Sequence, residues 1–212
     1  MGYCRTMNRA LVAAIVVAGL LAGIGAAVIA MRERAAPSAL ERATLFAEPR
    51  PLPAFSLVDP SGRDFGPERL KGRWNFLYFG FVNCPDVCPT TLATLAAARA
   101  ALADLPEGER PGAVFVSVDP GRDTPEAVGR YVKYFDPSFL GATGTRESID
   151  ALAAALGVAV IIGPPAADGS YTVDHSAAVF LVDPEARAAA LFGAPHESAT
   201  IARDYRRIVA AR

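Results

Sequence analysis

Hydrophobic positions along the chain change character three times. From Ala10 to Met31 the run ALVAAIVVAGLLAGIGAAVIAM carries no charged side chain. At about 22 residues and about 1.5 Å per residue it is long enough, as a helix, to cross a bilayer core of about 30 Å. The pattern then dissolves: residues 32–51 are rich in Ala, Arg, Glu and Pro, and Pro49, Pro51 and Pro53 predict an extended tether. From Leu52 onward short apolar runs alternate with amphipathic ones. Phe55–Val58 reads as a strand followed by a turn at Asp59–Gly62. Arg73–Val82 is almost continuously apolar and aromatic, as expected of a central strand covered on both faces. An Ala/Leu-rich helix is predicted from Thr90 to Leu105, with Pro89 at its first position.

The alternation continues to the C-terminus. Ala113–Val118 predicts a second buried strand. Thr124, Pro125 and Glu126 have the composition of a helix start, and that helix runs to about Phe135. A short segment at Phe139–Ala142 precedes a helix from Arg146 to Leu156, stopped by Gly157. Val158–Ile162, Tyr171–Asp174, Ala177–Val182 and Ala188–Phe192 are strand-like, the last two pairing antiparallel, and Glu197–Ala211 is a terminal helix. Strands alternating with helices predict an α/β domain with a mixed central sheet and helices on both faces. The expected organisation is a short N-terminal segment (1–9), a transmembrane anchor (10–31), a linker (32–51) and one folded domain (52–212).

Composition sharpens this picture. Of 212 residues, 52 % are hydrophobic, a figure raised by the apolar run, and the formal net charge is -1. No Lys/Arg stripe is present to neutralise phosphates, which argues against nucleic acid as a partner. The apolar run exceeds the about 7–15 residues of a signal-peptide core, so an uncleaved anchor is expected. Arg5 and Arg9 before it and Arg32 and Arg34 after it leave charge silent on orientation. Gly2 and Thr6 match a myristoylation pattern of low specificity, and Cys4 precedes the run, where a lipoprotein cysteine would follow it.

The chemistry concentrates in Cys84, Cys88 and His175. Both cysteines lie where a buried strand hands over to a helix N-terminus. Such a position favours anions and predicts thiol pKa values below the free value of about 8.5. Four-residue spacing permits either a disulfide or chelation of one ion. Three residues lie between the cysteines, against the two of a thioredoxin active site. His175 is expected between two strands added to the same sheet, which would bring its loop toward the cysteine turn. Two thiolates and an imidazole form a soft, three-coordinate donor set suited to Cu(I), with the imidazole also suited to Cu(II). Structural zinc would need a fourth ligand. His196, the second of two histidines, reads as a surface residue. Asp86 and Asp174 are candidates to orient the ligands through their carboxylates. Asp119, Arg122 and Asp123 either line the same rim or cap the following helix. A peroxidase of the peroxiredoxin kind would need Thr or Ser three residues before its cysteine, where Phe81 and Pro85 stand. The pair also suits a thiol–disulfide oxidoreductase, for which His175 is dispensable.

Three separated stretches, GFVNCPDVCP, VDPGRDTPE and YTVDHSAAVFLVDP, resemble the Sco/SenC family of copper-binding assembly factors of cytochrome c oxidase. The resemblance runs from about Leu52 to the C-terminus and extends to the anchor. It implies a thioredoxin-like fold, copper ligation by Cys84, Cys88 and His175, and delivery of copper to, or thiol reduction of, the oxidase's CuA site. The partner it implies is the oxidase subunit carrying that site, with other copper or thiol carriers of the same chemistry. Asn83 stands where the family commonly has an aromatic residue and Gly121 where it commonly has an acidic one, and the loop from Gly163 to Ser170 is short. Reversible disulfide chemistry belongs outside a reducing cytosol. The expected location is therefore the inner membrane, with the domain on the periplasmic side.

Overall fold

The computed structural model describes residues 15, 17–24 and 40–211. The chain divides after Ala39 into two units. In the first, residues 15 and 17–24 are helical and exposed. Among the described residues no helix is long and apolar enough to cross a membrane. The predicted anchor at 10–31 lies largely outside them, as do the segment 1–9 and the start of the linker.

The second unit is built on β4 (Asn75–Gly80) and β5 (Gly112–Ser117), every residue of which is buried. Burial on both faces is what their unbroken apolar sequences require. They pair in parallel, Asn75 opposite Gly112 through Gly80 opposite Ser117. β6 (Leu140–Ala142) adds parallel to β5. On the other side β9 (Val179–Val182) pairs antiparallel with β4, β10 (Arg187–Phe192) with β9, and β1 (Ala43–Pro51) with β10. The mixed sheet therefore has the order β1-β10-β9-β4-β5-β6. Two small hairpins stand apart from it, β2 (Leu57–Val58) with β3 (Asp64–Phe65), and β7 (Val160–Ile162) with β8 (Val173–His175).

Among its described residues the unit also has four α-helices: α1 (Val87–Ala100), α2 (Pro125–Phe135), α3 (Arg146–Ala155) and α4 (Ser198–Ala210). Thr124 and Thr145 cap α2 and α3, their hydroxyls accepting from the Ala127 and Ser148 N–H groups. Gly157, with φ +71°, ends the turn after α3 in a left-handed conformation. Phe76 holds the centre, its ring 6.1 Å from that of Phe192 and 5.9 Å from that of Tyr205 on α4.

Two expectations need correction here. Residues 43–51, expected within an extended tether, are indeed extended but form the edge strand of the main sheet. The prolines fit that place, because an edge strand can spare N–H groups, and the register slips between Leu45 and Arg50. Helix α1 begins at Val87, two residues before the Pro89 expected at its first position. Pro89 is accommodated in the first turn, where no N–H has an intrahelical partner.

Candidate metal centre

Cys84 and Cys88 bracket the passage from β4 into α1. The chain leaves the sheet at Gly80, and the Cys84 N–H donates to the Phe81 carbonyl at 3.3 Å, closing a tight turn. Because α1 starts early, Cys88 falls in its first turn, and its N–H donates to Cys84 Sγ at 3.4 Å. Cys88 is fully buried while Cys84 is half-buried, and both are free thiols. A glycine at position 80 is needed for this: a Cβ there would lie 2.9 Å from Cys88 Sγ and 2.6 Å from the Phe115 ring. Gly80 was not singled out from the sequence, although a glycine in a bulky buried strand marks close approach.

His175 arrives from the far side of the sequence at the end of β8. It was expected between two strands of one sheet. Instead β8 pairs with β7 in the separate hairpin, and β9 alone joins the main sheet. Within the hairpin the Ser176 N–H donates to the Ala159 carbonyl at 3.0 Å, and the Ala159 N–H donates to Ser176 Oγ at 3.1 Å. The imidazole lies edge-on to Phe81 and Tyr78, with ring centroids 5.9 and 6.0 Å away. Its Nδ1 is 3.0 Å from the Ser176 carbonyl, which can only accept, so Nδ1 carries the proton in the neutral ring. Nε2 is left with its lone pair, 3.3 Å from Cys88 Sγ. One ligand atom from each of Cys84, Cys88 and His175 lies within 4.8 Å of the others, and no further Cys, His, Asp or Glu among the described residues joins the group.

Burial sets the protonation states. It pushes the Cys88 thiol up to about 12, with the neighbouring Cys84 sulfur adding to the effect. The expectation of a lowered pKa is thus wrong for Cys88, because removal from water outweighs the helix N-terminus. Burial also holds the His175 imidazole below its ordinary value, favouring the neutral ring that can act as a ligand. The donor set therefore fits a soft monovalent ion that accepts few ligands.

The predicted carboxylates divide. Asp86 is an exposed residue before α1, accepting at 3.4 Å from the Thr90 hydroxyl. Asp174 is exposed and acts on His175 only through its charge, since the Ser176 carbonyl holds the ring nitrogen. Asp119 and Asp123, in contrast, are buried. Asp123 accepts from the Ser117 hydroxyl at 2.6 Å and from the Val82 N–H, in the cysteine turn, at 2.9 Å. Asp119 is bonded by Arg122 and, at 2.6 Å, by the Tyr171 hydroxyl. Tyr171 and Ser117 carried no signal of their own in the sequence. His196, expected at the surface, is half-buried and donates from Nε2 to the Ala177 carbonyl at 2.7 Å. A cleft of about 490 Å³ opens over the group, lined among others by Phe81, Cys84, Asp86, Arg122, Tyr171 and His175.

The chain is similar to known proteins over most of this second unit. Residues 47–210 match the family model described as SCO1/SenC. A "putative copper-binding protein" of Stutzerimonas stutzeri is 40 % identical over 140 residues, covering 64 % of this chain and 66 % of that protein. The human mitochondrial "protein SCO1 homolog" is 37 % identical over 139 residues, 66 % of this chain and 46 % of its own length. Among solved structures, Arabidopsis thaliana ScoI with copper bound superposes with a TM-score of 0.69 at 36 % identity, covering 74 % of this chain and 98 % of that one. Yeast Sco1 with copper bound gives 0.70 at 31 % identity, covering 77 % and 91 %. The matched region spans about two thirds of the bacterial relative and about half of the mitochondrial ones. The fold is accordingly thioredoxin-like, an α/β unit with a mixed sheet.

Proposed function

This chain belongs to the SCO1/SenC family, and from its site we propose that it is a copper metallochaperone. Cys84, Cys88 and His175 would hold one copper ion as cargo. The ion would then pass to the CuA site of cytochrome c oxidase, the acceptor that the family resemblance suggests. The observation that carries this reading is the meeting of two sulfurs and an unprotonated ring nitrogen within 4.8 Å. Those sulfurs and that nitrogen are the donors a soft, low-coordinate ion prefers. We further propose that residues 10–31 anchor the chain in the inner membrane and that the domain faces the periplasm. The half-exposed Cys84 beside the buried Cys88 also favours a second activity, thiol–disulfide exchange on partner cysteines, since the exposed sulfur is the one a partner can reach.

Copper titration of the full-length protein in detergent tests the assignment. The reduced protein should bind one Cu(I), and the disulfide form should bind far more weakly, because a disulfide has no thiolate to donate. Cys84→Ser or Cys88→Ser should abolish both copper binding and disulfide formation. His175→Ala should weaken copper while leaving the disulfide able to form. Equal Cu(I) affinity in the oxidised and reduced proteins would overturn the ligand assignment.

A further inference from the structure

The three donors come from two pieces of chain that share no sheet. The cysteine turn extends the main sheet at β4, whereas the β7–β8 hairpin is bonded strand to strand only within itself. After His175 the chain runs into β9, which pairs with β4, so the side of the hairpin that needs a separate hold is the one before β8. The loop between β5 and α2 reaches both pieces. On one side the buried Asp123 carboxylate accepts the Val82 N–H of the cysteine turn at 2.9 Å. On the other, the buried Asp119 carboxylate accepts the Tyr171 hydroxyl at 2.6 Å, two residues before β8. Arg122 closes the arrangement: its Nε donates to Asp119, its Nη1 donates to the Tyr171 carbonyl at 3.2 Å, and its guanidinium lies 3.9 Å from the Tyr171 ring centroid.

We propose that Asp119, Arg122 and Tyr171 form a latch that positions His175 over the thiol pair, making Arg122 and Tyr171 positioning residues for the metal centre. This rests on the copper reading only for its functional consequence; the latch itself is a property of the apoprotein. Gly121 belongs to the device. A Cβ at this position would lie 3.1 Å from the Tyr171 hydroxyl, so a side chain there crowds the phenol that Asp119 holds. Arg122 keeps the buried Asp119 carboxylate ion-paired, and the Tyr171 hydroxyl adds a hydrogen bond to that ion-paired acceptor. A bond of this charge-assisted kind draws the hairpin toward the β5–α2 loop.

Tyr171→Phe is the sharpest probe, since it keeps the ring against Arg122 and deletes only the hydroxyl. In the full-length, copper-free protein, amide hydrogen exchange in Val160–Ile162 and Val173–His175 should quicken about tenfold, the scale of a lost hydrogen bond to a charged group. Exchange in β4 and β5 should not change. Cu(I) affinity should fall by a similar factor, and Tyr171→Phe should have no further effect in a His175→Ala background, because the latch acts through His175. Gly121→Val should loosen the same amides and add little to Tyr171→Phe. Unchanged hairpin exchange in Tyr171→Phe would overturn the latch. So would an equal loss of copper affinity with and without His175, which would mark a general effect on the fold. If the wild type bound no copper while the hairpin loosened as expected, the copper reading would fail and the latch would stand.

Discussion

At the scale of single residues, the centre is governed by burial more than by the helix terminus beside it. Cys88 has no exposure, and its thiol is pushed up to about 12, so it keeps its proton at neutral pH until a metal displaces it. His175 is held below its ordinary value and is neutral at pH 7, contributing a lone pair and no proton. Copper binding should therefore release at least one proton. The sign follows directly: lowering the pH adds a competitor for sulfur, so affinity falls on acidification. Cys88 alone should account for about a tenfold rise in affinity per pH unit between about pH 7 and 8. Below the ordinary histidine value the loss should steepen as the imidazole begins to take up a proton. Competition titrations against a Cu(I) chelator of known pH dependence measure this, and a flat profile would mean that Cys88 is not a thiolate ligand.

At the scale of elements, the least legible strand is the one most dependent on a distant helix. The burial of β1 repeats every third residue rather than every second, so its sequence shows no strand alternation. What fixes its start is Asp204 on α4, a fully buried carboxylate that accepts the N–H groups of Glu41, Arg42 and Ala43, the last two at 2.8 and 2.9 Å. Arg203 and Arg207 add ion pairs to Glu41. These exposed pairs contribute little by comparison. Asp204→Ala should leave three backbone donors without their acceptor and cost about 2 kcal/mol, the range of hydrogen bonds to a charged group. Urea unfolding followed by tryptophan fluorescence measures the loss. Early proteolytic cutting before Ala43 should accompany it. Glu41→Ala should cost much less, and equal losses from the two variants would refute the ranking.

At the scale of the whole molecule, the proposed anchor and the proposed periplasmic location stand or fall with the compartment in which the domain lies. Cys84 and Cys88 are free and close enough to share one ion, and the same closeness makes them oxidisable as a pair. Such a pair works reversibly where the surroundings do not hold it permanently reduced. An alkaline phosphatase reporter fused after Arg212 should be active, as that enzyme needs an oxidising compartment. A β-galactosidase fusion at the same place should be inactive. The reverse result would put the domain in the cytoplasm and remove the reason for proposing the CuA site as acceptor.

The sequence by itself determined the parts whose physics is local. Unbroken apolar runs specified β4 and β5, Thr124 with Pro125 specified the start of α2, and the two cysteines declared the chemistry through residue type and spacing. The resemblance in three short stretches carried the thioredoxin-like fold and pointed to His175 as a candidate partner of the two cysteines. Tertiary structure decided what depends on residues far apart in the chain. It paired a proline-rich segment with β10, placed His175 on a hairpin outside the main sheet, and set its tautomer with a neighbouring carbonyl. It also raised the Cys88 thiol by burying it, and joined Asp119 to Tyr171 across 52 positions of sequence. Periodicity and capping act within a few residues and can be read along the chain. Desolvation and long-range hydrogen bonds exist only once the chain has closed on itself.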